Sequence, residues 1–191
     1  MTPEKLLGAL EVAGRLKDVT RHSWTAEGRR ESTAEHTFRT ALAAYFIKDE
    51  FPDIDADRVI KMCLIHDLGE AFTGDIPSFE KTEADEDKEE DLLLGWVDSL
   101  PDPLSTEMSE LYREMSEMKT DEAKLYKALD NLEAVITHNE ADLSTWIEKE
   151  YTLNLTYGDD KVEFSPYLKE FRRLIRDITE EKINKSEESS R

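Results

Sequence analysis

Leu64-Ile65-His66-Asp67-Leu68-Gly69-Glu70-Ala71-Phe72-Thr73-Gly74-Asp75 sets metal-capable groups inside an apolar stretch. An imidazole and a carboxylate on consecutive residues reach one cation only if the backbone aims them together. Burying either among apolar residues costs several kcal/mol without a partner. Upstream, Asp55 suits an N-cap, and Val59, Ile60, Cys63 and Leu64 recur at helical spacing. A helix is therefore expected to carry His66 and Asp67 and to end near Gly74, with Pro77 beyond the break.

The rest of the chain reads as helix on either side. Pro3 suits a first turn, followed by Leu6, Leu7, Leu10, Ala13 and Leu16 to about Val19. Thr20 to Glu31 lacks a period and reads as a loop of functional length. Ser32-Thr33-Ala34-Glu35 matches a capping box and opens a helix to about Asp49, stopped by Pro52. Further helices are predicted from about Ser78 to Asp98, Pro103 to Met118, Asp121 to His138, and Ser165 to Ile183. Alternation after Tyr151 suggests a short strand or hairpin near 151–164. The fold class is all-α, one helical domain over 1–183, with a disordered tail over 184–191.

Composition narrows the function classes. The chain has 191 residues, enough for one core. Lys and Arg total 25 against 45 Asp and Glu, a formal charge of -20, which repels nucleic acid polymers and anionic membrane surfaces. The excess is uneven: Glu80 to Glu122 holds 16 acidic and 4 basic residues, Met1 to Thr40 only 6 acidic and 7 basic. An anionic ligand is expected to favour the N-terminal third. The single Cys63 makes no internal disulfide, and the N-terminus lacks an apolar run, so a reducing cytoplasm is expected. No phosphate-cradling glycine motif is present.

His36 lies one turn into the capped helix, His66 and Asp67 near the end of the next, and Asp130 inside a later one. Asp is a mediocre choice for a helix interior, which makes Asp130 informative, although pairing with Lys127 would also explain it. Helical bundles commonly aim such groups inward at one site.

The ordered set His36, His66-Asp67 and Asp130 resembles the HD-domain metal-dependent phosphohydrolase superfamily. Gly14-Arg15-Leu16-Lys17, Arg21, Trp24, Glu31-Ser32-Thr33-Ala34-Glu35-His36 and His66 through Pro77 resemble its 5′-deoxynucleotidase branch. The resemblance implies an HD-domain helical bundle. In it, His36, His66, Asp67 and Asp130 bind a divalent cation such as Mn, Co, Fe, Ni, Zn or Mg, a choice the ligand types alone do not make. It also implies Glu70 as general acid/base, or else as holder of a second cation with Asp75 and the Ile76 backbone. Arg21 is implied as phosphate clamp, Trp24 as the sugar contact, and Asp75 and Ser78 as further substrate contacts. Some relatives carry the Trp directly after the Arg, where this chain has His22.

The implied reaction is hydrolysis of deoxyribonucleoside 5′-monophosphates, small-molecule substrates, by an enzyme that is often a homodimer. A phosphohydrolase acting on another metabolite or a phosphodiester, and a non-catalytic nucleotide-binding regulatory module, are the competing readings. Cys63 reads as core packing, His22 and His138 as outside the metal set, and Trp146 or Tyr151 as marking an interface or a second core.

Overall fold

The computed structural model describes residues 1–77 and 79–189. Its elements run α1 (Pro3–Arg15), β1 (Thr20–Trp24), β2 (Arg30–Ser32), α2 (Thr33–Ile47), α3 (Ala56–Ile65), α4 (Glu70–Thr73), α5 (Glu83–Ser99), α6 (Leu104–Glu117), α7 (Asp121–Glu140), α8 (Glu150–Thr156) and α9 (Pro166–Ser189). The all-α class holds, as a single bundle with one small two-stranded sheet.

Helices α2, α3 and α7 form the centre. Small buried residues on α2, Thr37, Thr40, Ala41 and Ala44, let its neighbours approach closely, while Val59, Met62 and Cys63 of α3 meet Leu129, Leu132 and Val135 of α7. Leu168 and Ile175 of α9 complete this core. A second apolar cluster joins Leu16, Leu68, Leu93, Val97 and Met108 beneath α5 and α6. Cys63 is a free, fully buried thiol, and burial raises its pKa, so it serves as packing.

The expected loop at 20–31 is instead an antiparallel strand pair, with Thr20 opposite Ser32 and Trp24 opposite Arg30. Gly28, at φ 78°, makes the intervening turn possible. Ser32 then serves two roles, ending β2 and capping α2. Its hydroxyl accepts the Glu35 N–H at 3.3 Å, while Glu35 Oε2 accepts the Ser32 N–H at 2.9 Å.

The hairpin expected near 151–164 is not formed: α8 and a 3-10 turn at Asp160–Val162 occupy that stretch. Its alternating pattern is overridden from a distance. Two arginines of α9 satisfy the last carbonyls of α8, Arg172 Nη2 donating to Asn154 O at 3.1 Å and Arg176 Nε to Leu155 O at 2.9 Å. The tail expected to be disordered continues α9 as helix to Ser189, and Ser190 and Arg191 lie outside the described residues. Trp146 is 7% exposed and its indole N–H donates to His138 O at 2.9 Å, which makes it a core anchor.

Candidate metal and phosphate site

Helix α3 stops at Ile65, earlier than the spacing predicts, and the chain turns tightly through 66–69 before α4. His66 N–H still bonds Met62 O at 3.0 Å, and Glu70 N–H bonds Asp67 O at 3.1 Å. This turn is what aims consecutive side chains at one point. Gly69 has helical dihedrals, but a Cβ there would lie 2.7 Å from Glu89 Cγ, so glycine lets the Glu89 side chain of α5 pack against the turn. Glu70 therefore reaches the site through a turn, and not along a continuous helix face.

The four expected metal residues meet. His36 Nε2 lies 3.3 Å from His66 Nε2, 3.1 Å from Asp130 Oδ1 and 3.6 Å from Asp67 Oδ2. His66 Nε2 lies 3.2 Å from Asp67 Oδ2 and 3.6 Å from Asp130 Oδ1. At metal–ligand distances of about 2.1 Å, neighbouring donors sit about 3.0 Å apart in an octahedral site and about 3.4 Å apart in a tetrahedral one. The observed spacings of 3.1 to 3.6 Å lie within that range or 0.2 Å above it.

Tautomers are fixed from behind. His66 Nδ1 donates to Cys63 O at 2.8 Å, and His36 Nδ1 to Glu133 Oε2, so each ring keeps its Nδ1 proton and it is Nε2 that gives up its proton and turns a lone pair forward when a metal binds. Glu133, 3% exposed, accepts the Thr137 hydroxyl at 2.8 Å on its other oxygen. Glu31 adjoins this pair, its Oε2 3.4 Å from Arg21 Nε. Burial, then the neighbouring Glu133, raises the Glu31 pKa to about 7. Sequence reasoning missed Glu133 and Glu31. The signal for Glu133 was its place three residues after Asp130, on the same face of α7.

The donor set is rich in negative charge. Burial disfavours a charged His66, but Asp67 and Asp130 outweigh it and lift its pKa to about 10. His36 is likewise raised, Asp130 and Glu133 overcoming burial and Arg21. In turn His66, His36 and Arg21 hold Asp67 below its ordinary range despite burial, and Lys127 with both imidazoles does so for Asp130. Two carboxylates thus demand compensating positive charge between them, and a divalent ion fits that charge as well as the spacing and the lone pairs.

Around this centre lies a cavity of about 270 Å³. Glu70 enters it 6% exposed, with Thr33 Oγ1 donating to Oε2 at 2.7 Å. Burial, then Asp67 and Asp75, pushes the Glu70 pKa up to about 9. Arg21 Nη1 donates to Asp67 Oδ2 at 3.3 Å, and Lys127 Nζ to Asp130 Oδ2 at 2.7 Å. Lys81 also lines the cavity, so its cations come from the acidic part of the chain as well as from the N-terminal third. Asp75 and Ile76 line it, while Ser78 lies outside the described residues.

Trp24 is the exception among the sequence-predicted contacts, since it does not line the cavity. Its ring is covered by the Arg30 guanidinium at 4.4 Å, from the residue opposite it in the strand pair. His22 and His138, set aside from the metal group, both line the cavity instead.

The sequence matches the HD domain family over residues 13–172. It is 33% identical over 139 residues to human 5′-deoxynucleotidase HDDC2, covering 71% of this chain and 67% of that protein. With 5′-deoxynucleotidase hdd1 of Schizosaccharomyces pombe it shares 30% identity over 158 residues, 73% of this chain and 79% of the relative. The fold superposes on the crystal structure of a "predicted metal-dependent phosphohydrolase" from Magnetospirillum magnetotacticum with a TM-score of 0.77 at 25% identity, covering 94% of this chain and 93% of that one. The chain belongs to the HD-domain metal-dependent phosphohydrolases, in their 5′-deoxynucleotidase branch, and that membership implies a divalent metal.

Proposed function

We propose that the protein hydrolyses deoxyribonucleoside 5′-monophosphates to deoxynucleosides and phosphate. The observation that carries this reading is the convergence of His36, His66, Asp67 and Asp130 beside a buried Glu70 and Arg21 in one cavity. We assign those four residues as metal ligands and take Mn or Co as the first ions to test among Mn, Co, Fe, Ni, Zn and Mg. A divalent ion held there supplies polarisation of a phosphoryl oxygen and a lowered pKa for an attacking water.

The protein's own groups do the rest. Arg21 grips phosphate oxygens through its guanidinium fork, exchanging part of its contact with Asp67 for the substrate. Lys127 adds positive charge on the α7 side. Glu70, anchored through Oε2 by Thr33, keeps Oε1 for proton transfer to or from water and the leaving 5′-oxygen. Its raised pKa suits a group that must hold a proton near neutral pH. A second cation between Glu70, Asp75 and the Ile76 backbone is the two-ion form of the same reading.

No helix of the described residues is long and apolar enough to cross a membrane. The free Cys63 supports a reducing cytoplasmic setting. Exposed Phe38, Tyr45 and Phe46 on α2 support a homodimer, which sedimentation would test.

The function is tested by phosphate release from dAMP, dCMP, dTMP, AMP and CMP under each divalent metal. Release from the deoxynucleotides with little from the ribonucleotides is expected. Tight nucleotide binding without release under any metal would make the protein a regulatory module instead.

A further inference from the structure

The cavity floor runs along one face of α7, from Asp130 past Ala134 to His138. Eight residues at about 1.5 Å each place His138 about 12 Å along the helix from the metal ligand. That is the reach of a phosphate, a furanose and a base laid end to end. A sugar hydroxyl lies too few bonds from phosphorus to span it, so the His138 end faces the base.

Two buried polar side chains of α8 wait there, one turn apart. Glu150 is 1% exposed and Asn154 3%. Both line the cavity, and Glu150 Oε1 and Asn154 Nδ2 are each buried without a hydrogen-bond partner. Glu150 Oε2 is committed, accepting the Ile147 N–H at 2.7 Å. Oε1 lies 3.0 Å from His22 Nε2 and 3.5 Å from His138 Nε2, but neither contact has hydrogen-bond alignment. Burial lowers the His138 pKa, which disfavours a charged ring beside the carboxylate, and His22 Nε2 is itself buried without a hydrogen-bond partner. An orphaned buried acceptor and an orphaned buried donor, one turn apart on α8 and lining one cavity, are costly unless a ligand completes both.

We propose that Glu150 and Asn154 read the base, selecting one that presents an exocyclic amino group next to an unprotonated ring nitrogen. Adenine and cytosine have that pattern. Uracil, thymine and hypoxanthine reverse it, setting a carbonyl against the carboxylate and an N–H against the amide donor. Phe79, packed against His22 at 5.6 Å between ring centroids, closes the apolar side of this end. The inference rests on the deoxynucleotidase reading and adds base selectivity to it.

The test compares kcat/KM for dCMP against dUMP and for dAMP against dIMP, in the wild type and in Glu150→Gln. The wild type is expected to favour the amino base about 10- to 100-fold in each pair. In Glu150→Gln the Ile147 N–H holds the amide carbonyl and turns its NH2 into the cavity, so the preference falls to unity or inverts. Asn154→Leu lowers the same ratios and serves if Glu150→Gln fails to fold, as judged by circular dichroism. Calorimetry of deoxycytidine and deoxyuridine with the metal-loaded protein reads the same preference without turnover. Tighter deoxycytidine binding with no phosphate release from any nucleotide upholds base reading and sinks the deoxynucleotidase reading. Equal kcat/KM within the pairs, or a preference unchanged in both variants, overturns the proposal.

Discussion

Replacing Glu133 by Gln keeps shape and removes one charge behind the metal site. Glu133 Oε2 accepts His36 Nδ1–H, Oε1 accepts the Thr137 hydroxyl at 2.8 Å, and Arg39 Nε lies 3.5 Å from Oε1. Glutamine has two ways to sit there, and each costs something. If its carbonyl keeps His36, its NH2 group turns toward the Arg39 guanidinium, donor against donor. If its NH2 group faces Nδ1 instead, the His36 proton moves to Nε2, which is the atom a metal needs bare. Loss of such a supporting carboxylate weakens metal binding about 10- to 100-fold, or about 1.4–2.8 kcal/mol. Isothermal calorimetry with Mn or Co, on wild type and Glu133→Gln of equal helicity, measures this directly. A dissociation constant equal to that of the wild type would refute the claim that Glu133 sets the His36 tautomer.

Glu70→Gln is expected to lower kcat about 10²- to 10⁴-fold with metal affinity retained, as a proton-transfer residue should; equal losses of metal binding and turnover would make it a ligand instead. The pH dependence of metal-free stability follows from groups that bind protons more tightly when folded. Glu70, lifted to about 9, and His66, lifted to about 10, contribute stability at low pH. That stability is lost as pH rises from their unfolded values, near 4.5 and 6.5, through the folded ones. Thermal melts should therefore show the metal-free protein weakening from pH 6.5 to 9, and the stabilisation by added Mn or Co growing over the same interval as the metal displaces protons. Trp24→Leu should leave the dAMP to AMP rate ratio unchanged, because Arg30 covers that ring outside the cavity; a collapsed ratio would restore Trp24 as the sugar contact.

Much of the fold was legible because its signals are local. The capping box at Ser32 and Glu35 and the Asp55 cap fix where α2 and α3 begin. Four metal-capable residues in a recognisable order pointed to side chains that the helices bring together. What was not legible depends on partners distant in sequence. The α8 segment alternates like a strand, but Arg172 and Arg176 from α9 complete its helix. Trp24 reads as a sugar contact without sight of its strand partner Arg30, whose guanidinium covers the ring. His22, His138 and Glu150 have no mutual spacing readable along the chain: the turn after α7 returns Glu150 to within 3.5 Å of His138, and β1 places His22 3.0 Å from Glu150.

The central claim is that His36, His66, Asp67 and Asp130 hold a divalent ion beside a phosphate gripped by Arg21. Anomalous diffraction from crystals of Glu70→Gln grown with Mn and dAMP tests it most directly. The account predicts an anomalous peak about 2.0–2.2 Å from both Nε2 atoms and from one oxygen of each carboxylate, with the phosphate against Arg21. A peak at Glu31 and Glu133 instead, or a phosphate bound away from Arg21, would contradict it.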